Sequence, residues 1–300
     1  MVQHTRRQFT QVAAVWWGTG AALGSVWIAD QAQAQPTAYP NKGLTIIAPY
    51  PPGGGVDTVS RLIGEKLAAR LNQAVVIDNK PGAGATLGAT ALARSAADGY
   101  TVMMGSVVDY AIAPHVHKNL AFDMRRDFVP VLEVGFGTVV LVVNADLPAK
   151  TVAELIALAK AKPGELSYAS SGIGGLQHLN AEMFKQMAGV DLNHVPYKGT
   201  AQLLPDLIAG RVPTMTEAGV AGYESATNYT LFVPSKTPAD VVALLNRETN
   251  AVLQLPEVVD KMAALGIVVT GGSTATATSR MGAEVDKWAA VIRKGNLSLN

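Results

Sequence analysis

The chain reads as an α/β protein with two lobes, and three observations carry that reading. Strand-like and helix-like periods alternate along the sequence, which predicts a mostly parallel sheet. The run Pro51-Pro52-Gly53-Gly54-Gly55-Val56-Asp57 joins an apolar, β-prone stretch, Leu44 to Pro49, to an amphipathic one, Asp57 to Leu71. A second strand, glycine loop and helix start recurs at Leu166–Ser170 and Ser171-Gly172-Ile173-Gly174-Gly175. Two such units, far apart in sequence, can face each other across a cleft.

The N-terminal stretch reads as a targeting segment. Thr5-Arg6-Arg7-Gln8-Phe9 is a twin-arginine pattern, and an apolar stretch from Val12 to Ala29 follows it. Ala32-Gln33-Ala34 fits a small-x-small cleavage site, so residues 1–34 are expected to be removed on export. Gly18, Gly20 and Gly24 interrupt the apolar stretch and argue against a retained membrane anchor. Cleavage leaves 266 residues with 22 basic and 22 acidic side chains, a net charge of zero. Such a balance offers no basic field for nucleic acid or a membrane surface. The chain has no cysteine. That excludes a disulfide, a thiolate metal site, a cysteine nucleophile and a lipid-modified cysteine.

Along the chain, Ala74–Asp78 is the second expected strand, and Pro81-Gly82-Ala83-Gly84 turns it into a helix near Thr86–Arg94. Tyr100–Gly105 is the third strand. Val131–Val143 is long and apolar, suited to crossing from one lobe to the other. Thr151-Val152-Ala153-Glu154 is a capping-box pattern that starts a helix, and Pro163-Gly164 ends it. The helix after the second glycine loop runs to about Met187. His194–Tyr197 is a strand end, with Lys198-Gly199 opening a helix to Ala209. Near the C-terminus Met281, Val285, Trp288 and Ile292 recur at helical spacing and read as core.

The chemistry legible in these residues is binding through backbone. A glycine turn at a helix start leaves N–H groups aimed at one spot, and the helix end is already partly positive, so an anion needs no lysine or arginine there. A tight strand-to-helix turn explains the same glycines equally well. Asp57 is the expected N-cap of the first helix; it either holds the loop or meets a ligand amine. His178 follows the second loop closely enough to orient it or to touch a ligand. Gly82, Gly84 and Gly88 have the wrong spacing for a dinucleotide fingerprint. Ser170 and Ser171 lie in no nucleophile elbow. His115 and His117 have no evident third metal ligand. No paired carboxylates or nucleophile–base set stands out, so neither catalysis, a metal nor a cofactor is expected.

Taken in order, Tyr39-Pro40, Pro51–Asp57, Pro81–Gly84, Asp98-Gly99-Tyr100, Asp127-Phe128-Val129-Pro130-Val131, Tyr168–Gly175 with His178, and His194-Val195-Pro196-Tyr197-Lys198-Gly199 resemble the Bug family. These are the extracytoplasmic solute receptors of tripartite tricarboxylate transporters. The resemblance implies a type II-like periplasmic binding fold, with lobe 1 at 35–135 plus 235–300 and lobe 2 at 136–234. It implies a monomer that closes on a small carboxylate, a di- or tricarboxylate, an acidic amino acid or an aromatic acid. The partner would be a membrane permease. The implied ligand-binding set is Pro52, Gly53, Gly54, Gly55, Asp57, Ser106, Ser170, Ser171, Gly172, Gly174, His178 and Tyr197. Several positions depart from the family. Thr86 replaces a usual asparagine, and Val107-Val108-Asp109-Tyr110 replaces a Thr/Asn-rich turn, so that Asp109 would favour a ligand with an amine or hydroxyl. Asn228-Tyr229-Thr230 stands where the family has Trp-x-Gly. After Gly210-Arg211-Val212 a strand–helix–strand unit of roughly thirty to forty residues is expected to be missing, since Pro213-Thr214-Met215-Thr216-Glu217-Ala218-Gly219 follows at once. Lobe 2 is therefore expected to be short of strands, with helix faces left uncovered.

Overall fold

The computed structural model describes residues 39–117, 119–138, 141–173, 175–212, 214–215 and 226–295. The expected signal segment, Gly174, Pro213 and the Glu217-Ala218-Gly219 motif lie outside them. In chain order the elements are β1 (Leu44–Ala48), α1 (Gly55–Leu71), β2 (Val75–Asn79), α2 (Thr86–Ala93), β3 (Thr101–Gly105), α3 (Val107–Val116), α4 (Met124–Asp127), β4 (Phe128–Thr138), β5 (Val142–Val143) and α5 (Val152–Ala161). There follow β6 (Ser167–Ser170), α6 (Leu176–Ala188), β7 (Asn193–Pro196), α7 (Thr200–Ile208), β8 (Thr214–Met215), β9 (Ala226–Pro234), α8 (Ala239–Leu253), α9 (Pro256–Ala264), β10 (Ile267–Val269) and α10 (Thr274–Gly295).

Two sheets organise these elements. One has six strands in the order β10-β4-β9-β3-β1-β2, the other four in the order β5-β8-β6-β7. The expectation of a mostly parallel sheet needs correction. β1 is parallel to β2 and β3, and β6 to β7 and β8, but β4, β9 and β10 add antiparallel pairs, as does β5 with β8. The reason lies in β4 and β9, which precede and follow the second sheet in the chain and pair with each other from Phe128↔Pro234 to Thr138↔Ala226. A strand running back beside its partner needs no helical crossover. β9 is also wholly a member of the six-stranded sheet.

Local sequence explains the helices that bear on the site. In α1, Val59, Leu62, Ile63 and Leu67 recur every three or four residues and are buried against β1 through Leu44 and Ile46. The helix stops at Asn72, whose left-handed φ of 49° a short polar side chain tolerates. α5 carries its capping box: Thr151 Oγ1 accepts from the Glu154 N–H at 3.2 Å, and Glu154 Oε2 accepts from the Thr151 N–H at 3.1 Å. In α10, Met281, Trp288 and Ile292 are buried; Trp288 and Ile292 pack with Val108, Ile112 and Leu179. Burial of that stripe joins α10 to α3 and α6.

Candidate functional site

Three helix N-termini open onto one cavity of about 610 Å³. Gly54 and Gly55 begin α1, Leu176 begins α6, and Gly199 precedes Thr200 at the start of α7; all five residues line the cavity. The N-cap residues are Gly54, Gly175 and Gly199, and none caps its helix with a side chain. Orphan N–H groups and the positive helix ends therefore face the same space. Ser171 and Gln177 supply polar edges, while Tyr229, Ile267 and Leu265 supply apolar wall from the six-stranded sheet and its connections. Among the described residues no lysine or arginine lines the cavity.

Close approach requires glycine at two of these ends. A Cβ on residue 55 would stand 2.7 Å from the Tyr229 hydroxyl, and one on residue 199 would stand 2.8 Å from Pro51 Cδ. The second contact presses the α7 loop of one sheet on the α1 loop of the other.

Asp57 is not the N-cap; that position is Gly54, three residues earlier. Its buried carboxylate turns back into the loop. Oδ2 accepts from the Gly53 N–H at 2.9 Å, Oδ1 accepts from Asn79 Nδ2 at 2.9 Å, and Arg61 bridges to both oxygens. Burial alone would raise its pKa, but the hydrogen bonds from Arg61, Gly53 and Asn79 outweigh burial and hold it below the usual value. Asp57 thus fixes the shape of the first glycine loop from behind, where it meets no cavity space.

Asp109 takes the place at the cavity wall. Its Oδ2 accepts from the Tyr50 hydroxyl at 2.7 Å and its Oδ1 from the Leu176 N–H at 3.2 Å. Burial pushes its carboxyl up to about 6, against the two hydrogen bonds that favour the charged form. The same burial, with Asp109 beside it, pushes the Tyr50 phenol well above its usual value.

Of the residues expected to bind ligand, Gly54, Gly55 and Ser171 line the cavity. Pro52 and Gly53 are exposed on the outer side of the first loop. Ser106 is buried at the N-cap of α3. Ser170 is buried inside the second loop, with Oγ 2.7 Å from His194 Nε2 and donating to the Gly172 carbonyl at 3.1 Å. Gly172, at φ 146°, lets that loop pass close to Gly84 and the Tyr197 carbonyl. The His178 ring stacks on His194 at 4.0 Å and 9°, and Tyr168 stacks on His194 at 4.7 Å. Burial pulls His194 down to about 4, and it lowers His178 as well. Tyr197 donates to Asp206 at 2.7 Å, outside the cavity lining. The stack and Ser170 build the floor under the second loop. Sequence reasoning left out Tyr50, Leu176, Gln177, the Gly199–Ala201 start, Thr227 and Tyr229. Only Lys198-Gly199 ahead of a helix gave a local sign of one of them.

Two α/β sheets whose loops close on a cavity lined by glycine turns, helix starts and one buried carboxylate define a periplasmic binding protein. The family model for the tripartite tricarboxylate transporter family receptor matches residues 59–215. A protein from the tcbD–tcbE intergenic region of a Pseudomonas species is 33% identical over 321 aligned positions, covering 94% of each chain. Protein BugT of Bordetella pertussis is 30% identical, covering 93% of this chain and 98% of its own. Among solved structures, an R. palustris protein with adipate superposes with a TM-score of 0.82 at 31% identity, covering 87% of this chain and 99% of its own. MatC from Rhodopseudomonas palustris with bound malate superposes at 0.80 with 26% identity, covering 85% and 100%. The chain belongs to the tripartite tricarboxylate transporter receptor family. Among the described residues no helix is long and apolar enough to cross a membrane.

Proposed function

We propose that the protein is a periplasmic receptor that captures a small carboxylate by closing two lobes on it, and delivers it as a monomer to membrane permease subunits of a tripartite tricarboxylate-type transporter. The observation that carries this reading is the convergence of three helix N-termini, none capped by its own N-cap side chain, on one cavity that no basic residue lines among the described residues. Such ends take a carboxylate through N–H groups and helix charge. The adipate and malate bound by the two structural relatives belong to the same chemical class. Capture is non-covalent. The lobes are built around the two sheets, lobe 1 around the six-stranded one and lobe 2 around the four-stranded one. Residues 1–34 act as a cleaved export signal.

Calorimetric titration of the mature chain against adipate, malate, succinate, glutamate and nicotinate tests this. Saturable heat with at least one of them is expected, and no heat with any from folded protein overturns the receptor reading.

A second reading, a non-binding or regulatory relative that acts as an interaction protein because lobe 2 is incomplete, draws on one observation. Coverage of 94% of 300 residues is about 282, so 321 aligned positions leave about 39 positions of the Pseudomonas relative without a counterpart. That length suits a lost strand–helix–strand unit after Val212. Thermal unfolding separates the readings, because a ligand that binds only the native state must raise the midpoint.

A further inference from the structure

The carboxylate of Asp109 already sits at one of the three helix ends. Asp109 Oδ1 accepts from the Leu176 N–H, the first N–H of α6, and its other oxygen accepts from Tyr50. α6 has no acidic residue of its own in its first turn. The helix charge at this end is thus met by a side chain from α3, 67 positions earlier in the chain. The other two ends differ. At α1 the acidic residue of the first turn, Asp57, is turned away to Gly53, Asn79 and Arg61, and α7 has none.

Asp109 is buried, lines the cavity, and has hydrogen bonds but no cation: no ion pair involving it occurs among the described residues. Tyr50 and Leu176 contribute neutral donors only. A buried carboxylate in that condition is completed by a positive group and resists a second negative one in the same cavity. It is also an acceptor only, with lone pairs left on both oxygens.

We propose that Asp109 determines the specificity of this receptor: its carboxylate fills the α6 end, leaves the α1 and α7 ends to seat a ligand carboxylate, and selects a monocarboxylate whose other end carries an ammonium or hydroxyl over a dicarboxylate. The assignment rests on the carboxylate-receptor reading above and narrows it.

Two matched pairs of probes differ only at one end: adipate with 6-aminohexanoate, and succinate with 4-aminobutyrate. Calorimetry on the mature chain at pH 7.5 is expected to show at least tenfold tighter binding of the amino acid in the better-fitting pair. Asp109→Asn keeps an acceptor for Leu176 and removes the charge; it is expected to shrink that preference at least tenfold and to strengthen dicarboxylate binding. Tyr50→Phe removes one hydrogen bond but keeps the charge, and is expected to retain the preference. Wild-type protein that binds the dicarboxylate as tightly as its amino partner overturns the assignment, even if Asp109→Asn fails to fold. An unchanged ratio in folded Asp109→Asn overturns it equally. Wild-type heat with other carboxylates of the wider panel but none with the amino probes overturns the assignment alone. No heat with any probe overturns the receptor reading and the assignment together.

Discussion

Asp109→Asn should make the ligand-free protein more stable at neutral pH, and the size of the effect follows from burial. The Asp109 carboxyl titrates at about 6 in the folded protein against an ordinary value of 3.8. At about 1.4 kcal/mol per pH unit, the difference corresponds to roughly 3 kcal/mol. Its sign is that of a raised pKa. Below 3.8 both folded and unfolded forms hold the proton and Asp109 costs nothing. Between 3.8 and 6 the unfolded chain releases the proton while the folded one keeps it, so stability falls as pH rises. Above 6 the full cost applies. Tyr50 and Tyr110, which face Asp109, are both pushed well above their ordinary value by burial and stay neutral throughout this window. Acids held low by their hydrogen bonds, such as Asp57 and Asp127, titrate alike in both proteins and cancel. Asparagine does not titrate, so the variant should gain up to about 3 kcal/mol at pH 7, or roughly 6–12 °C in midpoint. Near pH 4 the two proteins should converge. Urea unfolding followed by the fluorescence of Trp288, the one tryptophan outside residues 1–34, measures this at pH 4, 5, 6 and 7. A variant less stable than wild type at pH 7, or a difference that does not vary from pH 4 to 7, refutes the reasoning.

Asp57→Ala should cost about 1–2 kcal/mol in the same assay, because it takes one acceptor from the half-buried Asn79 amide and the acceptor from the Gly53 N–H, and so loosens the first glycine loop. A loss below about 0.5 kcal/mol would mean that Asp57 does not hold the loop. Gly199→Ala puts a methyl 2.8 Å from Pro51 Cδ, so ligand affinity should fall at least tenfold while the midpoint of the ligand-free protein moves by only a few degrees. Unchanged affinity would show that the two loops need not approach. His194, held neutral by burial and by His178, contributes stability above pH 6.5 that is lost as pH falls toward 4. His194→Gln should remove about 1–2 kcal/mol of that acid-side loss, a figure reduced for the partial exposure of the ring; an unaltered acid slope would count against the buried stack as its source.

Features held by neighbours in sequence were legible, and those held by distant contacts were not. The Thr151–Glu154 box and the Met281–Trp288–Ile292 stripe need only spacing, and both stand where spacing puts them. The first glycine loop was also legible, but Asp57 shows the limit. Its residue type suits a cap, yet its oxygens reach back to Gly53 and across to Asn79, which leaves Gly54 as the N-cap. The antiparallel pairing of β4 and β9 joins Val129 to Val233, and no local period announces such a match. The cavity wall shares this character. Tyr229 comes within a methyl's reach of Gly55, and Asp109 meets Leu176, through tertiary packing alone. Ser170, His178 and Tyr197 lie near the site in sequence but spend their polar atoms or rings beneath or beside the second loop.

The second sheet presents its half of the site through strands and loops that do not hang on its far edge. β6, which leads into the second loop, has β7 on one side and β8 on the other, so its backbone is paired on both edges although β8 spans two residues. Thr214 adds a bond from its hydroxyl to the Ser167 carbonyl at 3.0 Å. The α6 end is tied to α3 by Asp109, and the α7 loop rests on Pro51. What is left uncovered lies on α7: Leu203 and Leu207 are buried, while Leu204 and Ile208 are 41% and 77% exposed. An apolar face of that size weakens the second sheet's own stability more than it alters the cavity. Ties from the first sheet then add to what holds the second loop in place. Such ties hold the two loops together before any ligand arrives, and a ligand must either use them or displace them. The midpoint shift on adding ligand at pH 7 therefore distinguishes a receptor closed on its ligand from a relative closed on itself. A shift with any carboxylate of the panel argues for the first, and no shift with any of them argues for the second.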